Sequence, residues 1–140
     1  HLTCAEGTSI DASTKRLSLF HILERLETST FPTALQRFMF VAMFAREAND
    51  ADSNSLRLRI ALGDVVLLEK PLAFSFQGAA KSRLLAEFNG LAIPGTGILS
   101  FALESDSGQH LGSWDIAVEK TAIAPRGGRS AARPGSATAT

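Results

Sequence analysis

Residues Ser55–Leu62 read SLRLRIAL, and their alternation decides the fold. Leu56, Leu58, Ile60 and Leu62 share one side of an extended chain, with Ser55, Arg57, Arg59 and Ala61 on the other. Successive side chains of a strand point to opposite faces, so this spacing predicts a strand with one apolar and one wet face. Such half-buried strands are typical of antiparallel sheets.

The same period recurs on both sides of this stretch. In Ile98–Glu104, Leu99, Phe101 and Leu103 share a face. In Gly112–Val118 the face is Trp114, Ile116 and Val118, and in Ser82–Asn89 it is Leu84, Ala86 and Phe88. Leu35–Arg46 differs: Phe38, Phe40 and Phe44 lie on one face, Met39, Val41 and Met43 on the other. A helix is the rival there, since Ala, Met and Leu favour it, but the Phe-rich start behind Pro32 predicts a central strand covered on both faces. Val65–Gln77 also reads as extended, with Val66, Leu68, Leu72, Phe74 and Phe76 on one face and Pro71 placing it at an edge or bend. Leu2–Glu6 and Lys15–Phe20 are two further short strands. Leu19, Ile22, Leu23 and Leu26 also fit a helical face, so a helical turn is expected after the second of these.

Turn residues punctuate these runs. Gly63-Asp64 and Ser105-Asp106-Ser107-Gly108 mark hairpins, and Pro94-Gly95-Thr96-Gly97 leads into a strand. About eight short strands with regular turn signals predict an all-β fold. The architecture expected is a two-layer antiparallel β-sandwich of seven to nine strands, Ig-like or jelly-roll-like. No sequence repeat underlies the spacing.

The chain of 140 residues suits one domain, and its apolar fraction of 45% supports an ordinary core. Residues 1–124 form the expected β-sandwich domain, and the text changes at Pro125. Residues 125–140 hold Gly, Ala, Ser, Pro and three arginines, with no large apolar side chain, and read as a disordered basic tail or linker. The chain carries 14 basic and 14 acidic residues; three of the basic ones, Arg126, Arg129 and Arg133, lie in that tail, which leaves residues 1–124 at −3. A domain of that charge lacks the basic footprint of a nucleic-acid binder. No apolar run approaches the ~20 residues that span a bilayer, and His1–Asp11 shows no secretory pattern. The single cysteine, Cys4, excludes an internal disulfide and fits a reducing, cytoplasmic compartment.

Candidate chemistry is thin. Asp50, Asp52 and Asn54 imitate the start of a calcium loop, but Ser55 stands where its glycine belongs and Ala61 where its glutamate belongs. That segment is expected to be a solvated turn. His1, His21 and His110 lack metal-ligand spacing; His110 is expected to be exposed and His21 to be structural. No serine sits in a nucleophile elbow, and Gly95-Thr96-Gly97 lacks the lysine and helix of a phosphate loop. Arg57 and Arg59 share an outward face and are expected to be solubilising. The phenylalanines read as core, and there is no tyrosine for base stacking. No catalytic residue, metal ligand or cofactor is therefore expected.

Three stretches carry a family resemblance. They are Cys4 followed by Thr14-Lys15-Arg16-Leu17-Ser18-Leu19-Phe20; Phe31-Pro32 ahead of the central strand; and Ile93-Pro94-Gly95 with Ile98–Glu104 and a closing Ala117-Val118-Glu119. In order and spacing the chain resembles DUF6941, small bacterial proteins of unknown function, over about residues 2–120. Leu19-Phe20-His21 departs from a glycine-led step usual there, and Gly97-Ile98-Leu99-Ser100-Phe101 alters the closing pattern. The resemblance implies a compact β-sandwich and supplies no catalytic residues. The expected function is a non-enzymatic protein-interaction module. A self-associating assembly subunit, joined through a sheet edge or face, is the alternative; a small hydrolase or ligand-binding enzyme is the third. The expected partner is another protein or a second copy of the chain, with no nucleic acid and no membrane.

Overall fold

The structure, a computed structural model, describes residues 1–122. The expected tail at 125–140 lies outside the described residues. Nine strands follow in order: β1 (Leu2–Ile10), β2 (Leu17–Ile22), β3 (Arg25–Thr28), β4 (Thr33–Ala45), β5 (Ser53–Leu62), β6 (Val65–Ser75), β7 (Lys81–Ile93), β8 (Gly97–Ser105) and β9 (His110–Lys120). They build two sheets, β2-β1-β4-β7 and β3-β9-β8-β5-β6. The chain changes sheets from β2 to β3 and back to β4, again between β4 and β5, returns between β6 and β7, and crosses once more to β8. The fold is the expected β-sandwich. Its one departure from antiparallel pairing among the described residues is β3, which runs parallel to β9.

Alternation places the core where the sequence put it. Leu58, Ile60, Leu99, Phe101, Leu103 and Ile116 of the second sheet are fully buried, as are Phe38 and Phe40 of the first. Phe38 stacks on Phe88 in its own sheet at 5.1 Å and meets Phe101 of the other edge-on at 5.6 Å. Both spacings lie in the favourable range for aromatic pairs.

The crossing from β2 to β3 is tied down twice. The Leu23 amide donates to the Cys4 carbonyl at 2.8 Å, and Trp114 Nε1–H donates to the Leu23 carbonyl at 2.7 Å. The expected helical turn is absent, because these bonds hold the backbone extended between the sheets. Trp114 is the sole tryptophan, half-buried against the core. Its fluorescence is therefore expected to be blue-shifted and weakly quenched by iodide; a water-like emission maximum would contradict this packing.

Local irregularities correct other expectations. The β5–β6 register shifts between Ile60 and Ala61, so that Ile60 faces Leu68 and Ala61 faces Val66. The extra residue, Leu67, rotates the start of β6 by one position. Val66 is turned outward and exposed as a result, Val65 is exposed at the strand's end, Leu68 and Leu72 are half-buried, and Phe74 and Phe76 are buried. β6 forms an edge, as Pro71 implied. Phe20 is half exposed, against its reading as core.

The outer face of β4 is only partly covered. Val41 is fully buried and Met39 half-buried, but Met43 is exposed. The cover comes from the β1–β2 hairpin. β1 pairs with β4 from Leu2↔Ala42 to Ala5↔Met39 and then leaves it. A straight continuation would carry the hairpin's turn roughly 17 Å beyond Met39. Instead the Lys15 carbonyl accepts a bond from Arg83 Nη2 at 3.0 Å, and Arg83 is paired with Met43, back toward the N-terminal end of β1. The hairpin therefore folds back across the first sheet and buries Thr3, Ala5 and Val41 beneath it. The bend falls at Glu6 and His21, where His21 takes the left-handed conformation (φ 56°).

Candidate functional site

The folded-back hairpin roofs a groove of about 660 Å³ lined by Lys15, Met43, Phe44, Ala45, Lys81, Ser82 and Arg83. Its floor is apolar: Met43 and Ala45 face outward at the end of β4, while Phe44 between them turns inward and packs on Phe74 at 4.5 Å. Its rim is cationic. Lys81 and Arg83 are two residues apart on β7 and share its outer face, while Lys15 descends from the turn. Arg16 adjoins Lys15 in the same turn.

These four cations have no carboxylate within 4.0 Å among the described residues. Elsewhere among the described residues most arginines are neutralised, with Arg57 the exception. Arg37 meets Glu87 at 2.7 Å, Arg59 meets Glu69 at 2.8 Å, and Arg46 meets Asp52 at 3.1 Å. The acid nearest in sequence, Asp11, is turned to other work. Its carboxylate accepts from the amides of Ser13 and Thr14 at 2.9 and 2.7 Å and from Ser13 Oγ at 2.9 Å. Those bonds, the Thr14 amide first, hold its pKa down at about 2. A depressed carboxyl stabilises the turn above the unfolded value near 4, and that support is lost as pH falls through about 2. The turn that presents Lys15 is thus fixed at neutral pH.

A second groove of about 720 Å³ opens beside the first, between the edge strands β6 and β7. Ser82 and Arg83 line both. The two therefore adjoin at Arg83: the first has an apolar floor, and the second sets Ala73, Phe74 and Leu84 among serine, asparagine and glutamine side chains. That arrangement suits an anionic group attached to apolar matter, held by charge at one point and by burial at the next.

The residues singled out in the sequence lie elsewhere. Asp52 organises the β4–β5 connection: it accepts from the Gly78 amide at 2.8 Å, from Arg46 Nη1 at 3.1 Å and from Ser75 Oγ at 3.2 Å. Asp50 accepts from the Glu47 amide, and Asn54 Nδ2–H donates to the Ala51 carbonyl. The calcium-like spacing is a hydrogen-bonded turn. His1, His21 and His110 are all exposed, and His21 stands 3.8 Å from Glu6 at the hairpin's bend. Among the described residues no three His, Cys, Asp or Glu side chains gather as a metal site. Cys4 is buried in the core, which pushes its thiol pKa up and keeps it protonated. Arg59 lies on the outer face between Glu69 and Glu104, and its pKa is raised by the Glu69 hydrogen bond first. Arg57 shares that exposed face.

Sequence reasoning missed Lys15, Lys81 and Arg83. Lys81 and Arg83 do share a strand face, which was readable. Nothing local linked them to Lys15, which is 68 residues from Arg83.

Fold and groove together define a two-sheet β-sandwich whose edge and folded-back hairpin enclose a cationic, apolar-floored concavity. Within that class the chain belongs to DUF6941, a family of unknown function, matched over residues 2–119. Comparison with curated proteins and with solved structures gives no match. No helix of the described residues is long and apolar enough to cross a membrane.

Proposed function

We propose that this chain is a non-enzymatic protein-interaction module of immunoglobulin-like build that holds an acidic segment of a partner protein in the cationic groove. The strand order supports the build. β1-β4-β7 facing β9-β8-β5-β6 matches the A-B-E and G-F-C-C′ order of that architecture. The observation that carries the binding role is the convergence of Lys15, Lys81 and Arg83, without carboxylate partners among the described residues, around Met43 and Ala45. An incoming anion meets cations that no described carboxylate already holds, so charge complementarity steers it to this rim. The domain's overall −3 favours a short acidic segment over a nucleic acid, which needs an extended basic track.

The test uses a fluorescent peptide of about eight residues that alternates glutamate and valine, long enough to run along the groove. Anisotropy is expected to rise on titration with the wild-type chain and to fall off with added salt. The double substitution Lys81→Glu and Arg83→Glu should weaken binding at least about tenfold, as loss of a rim charge pair and its reversal imply. Equal binding by wild type and variant would overturn the proposal, as would equal binding of a lysine–valine peptide.

One observation favours self-association as a second reading. Val65, Val66 and Ile98 are each at least half exposed and lie together at the Gly63 end of the second sheet. A solution mass that doubles with concentration would favour it.

A further inference from the structure

We propose that the acidic segment binds as an added strand along the open edge of β7, extending the first sheet by one. This rests on the groove reading above and goes beyond it in naming the backbone as a partner. Among the described residues β7 has β4 as its one strand neighbour, so half of its backbone N–H and C=O groups point outward along an edge that no other described strand pairs. Proteins usually blunt such an edge with proline, a bulge or lysine. β6, across the groove, carries those devices: Pro71, Lys70 and the extra Leu67. β7 carries a lysine as well, Lys81 at its start, but from Ser82 to Phe88 it has no lysine, proline or glycine, and it keeps unbroken register with β4 from Ala45↔Lys81 to Phe38↔Phe88. Gly90, with φ 87°, marks the end of the regular stretch.

Side-chain parity sets the pattern of the incoming segment. Lys81 and Arg83 lie on the outer face of the sheet. Leu84 and Ala86 lie on the inner face, toward the groove whose far wall includes Ala73 and Phe74. Glu87 also faces outward, but Arg37 holds it at 2.7 Å, so its charge is matched. A strand beside β7 therefore meets Lys81 and Arg83 on one face and, on the other, Leu84, Ala73 and Phe74 set among serine and asparagine side chains. A segment that alternates acidic and apolar residues satisfies both at once, and strand addition fixes its register by main-chain hydrogen bonds.

Four peptides of one sequence length separate the possibilities: alternating glutamate and valine, the same residues in two blocks, and two versions of the alternating peptide N-methylated at every second amide, one along each edge. The alternating peptide is expected to bind best. The blocked peptide, and N-methylation of the edge that pairs with β7, should each weaken it at least tenfold. Outward-facing amides within Lys81–Phe88 should gain protection from hydrogen exchange when the unmodified peptide is present. If peptides methylated on either edge bind as well as the parent, strand addition is wrong, while the effect of the Lys81→Glu and Arg83→Glu double substitution still upholds the groove. If none of the peptides binds, both readings fall.

Discussion

Truncating Phe40 to alanine is expected to lower the unfolding free energy by about 3–5 kcal/mol, the usual cost of emptying a phenylalanine site in a core. Phe40 is fully buried on β4. Its ring lies 6.3 Å from that of Phe101 and bridges the two sheets. Its register partners are small: Cys4 on β1 and Ala86 on β7. Those neighbours have no long side chain to swing into the space, and the pairing on both sides stops the backbone from closing it. The cavity should stay open, which puts the cost in the upper part of the range. Urea denaturation of the two proteins measures it. A loss under about 1 kcal/mol would mean that the sheets do not meet at this ring.

Gly97 gives the second large effect, for a reason of backbone and not of volume. It opens β8 with φ 143°, a conformation that residues with a Cβ rarely adopt. A Cβ built there would also stand 3.4 Å from Leu62 Cδ1. Gly97→Ala is expected to cost about 1–3 kcal/mol, the range for a residue forced into such a region. Gly95 is the control. It lies two residues earlier, and a Cβ there meets nothing within 4 Å. Gly95→Ala should change stability by less than about 0.5 kcal/mol. Equal melting temperatures for the two variants would contradict the conformation assigned to Gly97.

The contrast explains why Gly95-Thr96-Gly97 misleads as a motif. Two glycines near each other suggest a phosphate loop, yet one of them serves only the direction in which β8 leaves its turn. Asp50-Ala51-Asp52 behaves alike. Its spacing suggests a cation, but Asp52 spends its oxygens on Gly78, Arg46 and Ser75. In both places local composition reports a turn, and the turn's bonds are the whole of its chemistry.

Most of the sandwich was legible in the sequence. The inner faces of β5, β8 and β9 follow directly from alternation, because a strand's two faces are set by adjacent residues alone. The Gly63 and Gly108 turns were readable for the same local reason, and both residues have positive φ. Alternation failed where one residue was added or a strand was bent. Leu67 reversed the facing of Val66, and the fold-back at His21 left Phe20 exposed.

By itself, then, the sequence determined which residues face a core, where most of the strands begin and end, and that no motif of catalysis or metal binding is written along the chain. Only the tertiary structure decided which strands are neighbours, which edge stays open, and where the cations gather. Periodicity is a property of consecutive residues, whereas pairing order is settled by burial summed over the whole molecule. Lys15 and Arg83 illustrate the difference. Each reads as an ordinary solvated charge, and they meet because the β1–β2 hairpin turns back over Val41 to cover apolar surface that β4 leaves bare.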